Sequence, residues 1–300
     1  MDQWITEYAY AKINLYLHLT GRREDGYHTL VSVMQSVDLH DILTLSCPGG
    51  GEGKIELHCD TPGLSTGEDN LVCRAARMFM DRYGKRNLRI RLEKQIPIAA
   101  GLAGGSSDAA ATLRALNRLY GYPATEDDLL CMSVRLGADV PFCLCGGTAL
   151  AEGIGEHLTV LLPAPPVTVL IACGGAGVST PLAYRALDEM YKGFSEPVLP
   201  DRQLQPLLSA IARGDAPGMS GTVFNLFEKA VLPHHSEATE SRNLMISGGA
   251  LCAMLSGSGP SVFGIFTEKA KADAVAGQIR ENGWFAYVGG FAERKGIFEK

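Results

Sequence analysis

The stretch PIAAGLAGGSSDAAATLRALNRLY, Pro97 to Tyr120, sets Gly101, Gly104, Gly105 and a serine pair directly ahead of an alanine-rich run with helical spacing. No other feature limits the fold as much. Glycine inside a helix costs roughly 1 kcal/mol relative to alanine, so this cluster belongs at an element's entrance, where the backbone turns or approaches something closely. A helix N-terminus leaves its first amide protons unpaired and carries partial positive charge. Without Cβ atoms in the way, those amides can meet an anion. The stretch therefore reads as a strand-to-helix loop able to cradle a phosphate, with Ser106 and Ser107 as hydroxyl donors and Asp108 near the helix start or a metal-bound water. Ala109, Ala110, Leu113, Leu116 and Tyr120 form the apolar stripe behind it. A glycine turn that serves only tight strand-to-helix packing explains the same residues and stays open at this point. Two familiar phosphate loops are excluded: no lysine follows the glycines as in G-x-x-x-x-G-K-[ST], and their spacing is not G-x-G-x-x-G.

The surrounding pattern is mixed α and β. Ile13, Leu15, Leu17 and Leu19 alternate on one face of a strand, Leu30 to Leu45 repeats the period less regularly, and Lys54 to Cys59 forms a short third strand. Asp69 or Asn70 caps a helix that turns Leu71, Ala75, Met78 and Phe79 inward and ends at Gly84. Asn87 to Glu93 is a half-buried strand leading into the glycine loop. Thr125 and Asp128 make a capping box for a helix ending near Gly137, and a strand pair follows around Gly146 and Gly147. The run Pro163-Ala164-Pro165-Pro166 marks a division, giving domains 1–164 and 165–300. Beyond it come a strand (Val167 to Ala172), a helix begun by Thr180 with Pro181 at its first position, and several helices between about 201 and 249. Strands at Leu251 to Leu255 and Val262 to Phe266, a helix from Glu268 to about Asn282, and a strand near Trp284 to Val288 complete the chain. Strands, helices and hairpins in this order indicate α+β rather than a doubly wound parallel sheet.

Further candidates for chemistry are few. Lys12 and Asn14 share a face of the first strand, and a lysine in an apolar strand needs an anion or acceptor unless it snorkels to solvent. Asp139, in GADVPF, follows a helix end and suits either a turn or a base. The loop Ser256-Gly257-Ser258-Gly259-Pro260 is a hairpin turn or a second ligand loop. The formal net charge of -6 speaks against a nucleic-acid partner. No apolar run is long enough to span a bilayer and no signal peptide is evident, so a cytoplasmic location is expected. The eight cysteines form no zinc pattern and read as reduced, mostly buried thiols.

Together, AYAKINLYLHLTGRREDGYHTL, PIAAGLAGGSSDAAATLRALN, LGADVPFCLCGGTALAEGIGE and LSGSGPSVFGIF resemble the GHMP kinases over nearly the whole chain. The resemblance implies a ribosomal-protein-like α+β N-terminal domain, a ferredoxin-like C-terminal domain and a cleft between them. It implies ATP as co-substrate with Mg²⁺, no protein residue being assigned as metal ligand. The ATP-binding residues it implies are Asn70, near the adenine, and Pro97, Gly101, Leu102, Ala103, Gly104, Gly105, Ser106 and Ser107. Asp139, with Lys12 beside it, would face the acceptor hydroxyl. Asn14, Thr180, Gly257, Ser258 and Gly259 would contact the acceptor, whose cytosine end Tyr27 would stack on, His28 would hydrogen-bond and Tyr184 would wall. The implied reaction is ATP-dependent phosphorylation of a cytidine-diphosphate-linked polyol in isoprenoid precursor synthesis. A sister kinase for homoserine, mevalonate or a sugar would share both glycine loops and Lys12 but should lack the Gly26-Tyr27-His28 pattern. A nucleotide-binding regulator without turnover would have no need of Lys12 beside Asp139. The sequence leaves the oligomeric state open.

Overall fold

The alternating N-terminal segment becomes half of a long hairpin. In the computed structural model, which describes residues 4–194 and 202–294, β1 (Trp4–Arg22) and β2 (His28–Ser46) pair antiparallel along their whole length. There follow β3 (Ile55–Cys59), α1 (Leu71–Tyr83), β4 (Leu88–Glu93), α2 (Gly104–Leu119), α3 (Glu126–Leu136), α4 (Val140–Cys145), β5 (Thr148–Glu152) and β6 (His157–Val160). Because β2 is so long, its outer edge serves two neighbours: β4 along residues 42–46 and β5 along residues 32–35. Both faces of this sheet are covered at its centre, so residues 11–19 are buried without alternation.

After the proline-rich segment come β7 (Thr168–Cys173), α5 (Thr180–Met190), α6 (Leu204–Ala212), α7 (Ala216–Ser220), β8 (Phe224–Asn225), α8 (Glu228–Val231) and α9 (Ser236–Ser247). The chain continues through β9 (Cys252–Leu255), β10 (Val262–Phe266), α10 (Lys269–Glu281) and β11 (Phe285–Gly290). The second sheet has the order β11-β7-β10-β9, antiparallel throughout. Numbered within that sheet the order is 4-1-3-2, which is ferredoxin-like, with α9 and α10 as its helices. The fold class is α+β, as the resemblance implies. Residue 201, where the helical region was expected to begin, and the outermost residues 1–3 and 295–300 of the two expected domains lie outside the described residues.

Three apolar clusters hold these layers. One packs α1 to α4 on the first sheet. A second fills the space between the sheets with Ile13, Leu15, Tyr16, Val33, Ile171, Phe263 and Ile265, beside α6. The third lies under α5 and α8 to α10. Here one expectation fails: Ile13 and Leu15 belong to the inter-sheet cluster, but Leu17 and Leu19 belong to the third. The cause is a register shift between Asn14 and Tyr16, since one extra residue in a strand moves everything after it to the other face. Leu17 consequently shares the face of Lys12 and Asn14.

Local signals are followed closely elsewhere. Asn70 caps α1, and Thr125 with Asp128 forms the reciprocal capping box of α3. The buried face of α1 is Val72, Cys73, Ala75, Ala76, Phe79 and Met80, leaving Leu71 and Met78 only half-buried. At α5 the cap is Ser179, one residue before the expected start, so Thr180 takes the first position and Pro181 the second. The expected strand pair near Gly146 is displaced. Residues 140–145 form a wholly buried short helix, the two glycines (φ +65° and +76°) turn the chain into β5, and the paired strands are β5 and β6. A six-residue apolar run is too short for periodicity to separate helix from strand. All eight cysteines are free, with Cys73, Cys143, Cys145 and Cys252 buried and Cys131 exposed.

Candidate active site

The two glycine loops lie against each other. Gly101, at φ +77°, approaches so closely that a Cβ there would fall on the Ser256 carbonyl oxygen and within 3.0 Å of the Gly259 nitrogen. Ser256 Oγ donates to the Gly101 carbonyl at 3.0 Å, and Ser261 N donates to Ala100 O at 3.2 Å. The contact needs glycine at position 101. It also places the entrance of α2, from the first half of the chain, beside the β9–β10 loop of the second. Ala103, in the left-handed region at φ 58°, precedes α2 without a side-chain cap, and Ser107 N donates to Ala103 O at 2.8 Å across the first turn. The amides of Gly104, Gly105 and Ser106 come before that bond and are available to an anion.

Lys12 does not snorkel. It is 4% exposed, donates to Asn14 Oδ1 at 2.8 Å and stands 3.9 Å from Asp139 Oδ2. Asn14 Oδ1 also accepts from Gly257 N at 3.0 Å, while Asn14 Nδ2 donates to Ser32 Oγ at 2.8 Å, which donates on to Tyr16 O at 2.7 Å. The ammonium is thus held by a buried hydrogen-bonded chain. Asp139 ends the loop after α3 and leads into α4 with its side chain part-exposed and free of capping duty. Lys12, Asn14, Asp139, Thr180, Tyr184, Gly257 and Ser258 line one cavity of about 160 Å³ with Leu17, Leu30, Met34, Gly101, Ala103 and Phe227. Thr180 Oγ1 and Ser258 Oγ hydrogen-bond across it at 2.8 Å. Burial, with the Asp139 charge adding, pushes the Tyr184 phenol up to about 12, so it stays neutral in the cavity.

A larger cavity of about 440 Å³ opens on the other side of Gly101, Ala103 and Thr180, which line both. Asn70, Pro97, Gly104, Gly105, Ser106 and Gly259 line it, the last of them expected among the acceptor contacts. Two residues expected among the ligand groups point elsewhere. Leu102 is in the inter-sheet core, with its carbonyl accepting from Lys12 N at 3.1 Å, and Ser107 Oγ is spent on Tyr10 O at 2.6 Å, tying α2 to β1. Asn70 also has structural work, its Oδ1 accepting from Val72 N at 2.9 Å and its Nδ2 donating to Ser65 O at 2.6 Å.

Beneath this cavity lies a buried trio that the sequence reading did not assemble. Lys94 Nζ bonds Asp41 Oδ2 and, at 2.7 Å, Asp108 Oδ2, while Asp41 Oδ1 accepts from Gln95 N and Ile96 N at 2.6 and 2.8 Å. Two carboxylates share one ammonium, and Asp108 Oδ1 has no partner among the described residues. Burial pushes the Asp108 carboxyl up to about 8, Lys94 pulling it back and Asp41 pushing it further. A carboxyl that holds its proton more tightly folded than unfolded stabilises fully below about pH 4, and this contribution is lost as pH rises through about 8. Between pH 6 and pH 9 the wild-type Tm is therefore expected to fall further than that of Asp108→Asn. Thermal unfolding at both pH values checks this, and equal losses would remove Asp108 from the account.

On the turn between β1 and β2, Tyr27 is 62% exposed. His28 packs on Tyr184 (ring centroids 4.8 Å apart, planes at 32°), and Tyr184 meets Phe227 edge-on at 4.9 Å. The His28 side chain is bonded through Nε2 to Asp188, a residue with no sequence signal beyond its place on α5. Asn225 was also missed: from β8 it donates to Leu255 O and Gly257 O at 2.8 and 2.9 Å and so braces the second glycine loop. A lone asparagine between apolar residues is the only hint its sequence offers.

A glycine-rich helix entrance, a buried lysine beside an aspartate and two α+β units joined at their glycine turns define the class. The chain belongs to the GHMP kinases: residues 70–147 match the GHMP kinases N-terminal domain and residues 207–283 the GHMP kinases C-terminal model. It is 40% identical over 275 residues to the 4-diphosphocytidyl-2-C-methyl-D-erythritol kinase of Clostridium botulinum (strain Alaska E43 / Type E3), covering 91% of this chain and 95% of that one. The enzyme of the same name from Desulfitobacterium hafniense (strain Y51) is 41% identical, with 97% of each chain covered. A solved 4-(cytidine 5'-diphospho)-2C-methyl-D-erythritol kinase superimposes with a TM-score of 0.80 at 36% identity, over 96% of this chain and 99% of the other. Homoserine kinase from Cytophaga hutchinsonii, at 19% identity and a TM-score of 0.75, shares the fold.

Proposed function

We propose that this protein transfers the γ-phosphoryl group of ATP to the 2-hydroxyl of 4-diphosphocytidyl-2-C-methyl-D-erythritol, giving the 2-phosphate and ADP, as a cytoplasmic step in non-mevalonate isoprenoid synthesis. The observation that carries this reading is the shared wall: the phosphate-loop cavity and the Lys12–Asp139 cavity meet at Gly101, Ala103 and Thr180. A nucleotide in the first directs its terminal phosphate toward an alcohol in the second. Phosphoryl transfer needs in-line placement and charge neutralisation, and little else. The amides of Gly104, Gly105 and Ser106 hold the phosphates. Lys12, fixed by Asn14, presents its charge to the transferred group, while Asp139 orients the acceptor hydroxyl and takes its proton late, because a carboxylate is a weak base toward an alcohol.

The donor set suits Mg²⁺ that arrives with the nucleotide. Among the described residues no three His, Cys, Asp or Glu side chains cluster to hold a metal, and Mg²⁺ characteristically keeps its waters and binds one or two protein oxygens plus phosphates. Ser106, on the wall of the nucleotide cavity, would offer such an oxygen, and the ion would neutralise charge on the phosphates. Residues 1–164 serve as the ATP-binding and catalytic domain and 165–300 as the acceptor domain. β8 pairs with β1, and Asn225 on β8 braces the glycine loop between β9 and β10. Among the described residues no helix is long and apolar enough to cross a membrane.

Purified protein incubated with ATP, Mg²⁺ and a panel of the cytidine-linked polyol, homoserine, mevalonate and galactose tests the assignment. Phosphate is expected on the first alone. Turnover of another acceptor in preference, or of none, would replace this reading with one of the rivals.

A further inference from the structure

The base-recognition end carries a charged cluster that the transfer chemistry does not use. Asp188, on α5, bonds His28 Nε2 at 2.7 Å and lies 3.5 Å from Arg22 Nη1. Arg22 also donates from Nε to the Gly26 carbonyl at 3.2 Å. One carboxylate from the second half of the chain therefore clamps the last residue of β1 and the first of β2, on either side of the turn that presents Tyr27. The imidazole is further held between Tyr184 and Phe194, which meets it edge-on at 5.4 Å.

A carboxylate can only accept hydrogen bonds, so the ring nitrogen 2.7 Å from it carries the proton. In the neutral ring the other nitrogen, Nδ1, is then a bare acceptor, and none of the described residues bonds it. Cytosine and uracil differ in the group such an acceptor can read. Cytosine offers an exocyclic amine, a donor, where uracil carries a carbonyl oxygen, a second acceptor. We propose that Asp188 determines selection of cytosine over uracil: by holding His28 as the Nε2–H tautomer, it leaves Nδ1 to accept from the cytosine amine and to repel the uracil carbonyl. This rests on the cytidine-linked acceptor proposed above. Asp188 touches no substrate and is a positioning residue acting through His28.

Two measurements on wild type, Asp188→Ala and Asp188→Asn test it. Imidazole ¹⁵N NMR of the substrate-free protein, with the His28 signals identified by their loss in His28→Gln, reads which nitrogen is protonated. Steady-state kinetics at saturating ATP read kcat and KM for the cytidine- and uridine-diphosphate-linked polyols. Wild type is expected to show Nε2–H, and both variants mixed tautomers, because alanine offers no acceptor and asparagine can also donate. For the cytidine substrate kcat/KM should fall about ten- to hundredfold, chiefly through KM, with the preference over uridine falling alongside and KM for ATP unchanged. An unaltered tautomer in Asp188→Ala, or an undiminished cytidine preference, overturns the proposal. Should wild type phosphorylate neither compound, the acceptor reading fails instead. The Asp188 role is then decided by titrating CDP and UDP against the His28 signals: a wild-type response to CDP alone that Asp188→Ala abolishes supports it, and any other pattern overturns it.

Discussion

Asp139→Asn is expected to lower kcat by about 10²- to 10⁴-fold while KM for the acceptor and for ATP changes little. The substitution preserves shape and a hydrogen-bonding oxygen but removes the group able to take the hydroxyl proton as the P–O bond forms. It should leave the fold intact. Asp139 has no side-chain cap bond, is part-exposed, and among the described residues pairs with Lys12 at 3.9 Å, whose ammonium keeps its 2.8 Å bond to Asn14. Steady-state kinetics with both substrates varied gives the answer. Normal turnover with weakened acceptor binding would make Asp139 a binding group and leave the proton without a recipient among the cavity's side chains.

Gly101→Ala is expected to cost about 1–2 kcal/mol in stability from the backbone angle alone, since φ is +77° there. The added methyl must also displace the backbone of Ser256 and Gly259, and backbone has no rotamer to retreat into. Parting the loops shifts Leu102 O, which accepts from Lys12 N, and Gly257 N, which donates to Asn14. Misplacing phosphate loop and lysine by even about 1 Å should reduce kcat/KM for ATP by roughly 100-fold. Thermal unfolding and ATP kinetics check the two effects separately. Wild-type values in both would mean that the loops do not touch in solution.

The residues that could be read in advance share a property: their signal is local. A capping box needs only Thr125 and Asp128, a cap only Asn70, and a helix entrance only glycines ahead of an alanine-rich run. What escaped depends on distant partners. The register shift after Asn14 moves Leu17 to the Lys12 face, and nothing in the alternation of β1 announces it. Lys94 meets Asp41 across more than fifty residues and Asp108 across fourteen, so its buried pairing is invisible in any short window. Ser107 looks like Ser106 in the sequence, but one helical step turns its hydroxyl from the cavity to the Tyr10 carbonyl.

By itself the sequence determined the α+β class, the anion-ready entrance to α2 and the identity of the chemical groups, because periodicity, caps and backbone freedom are properties of neighbouring residues. Only the tertiary structure decided that Gly101 seats against Ser256, that Lys12 reaches Asp139, that Asp188 bonds His28 and that Asn225 braces the second glycine loop. Those contacts arise from folding two halves of the chain onto a common seam, where close approach is set by packed sheets and helices rather than by spacing along the chain.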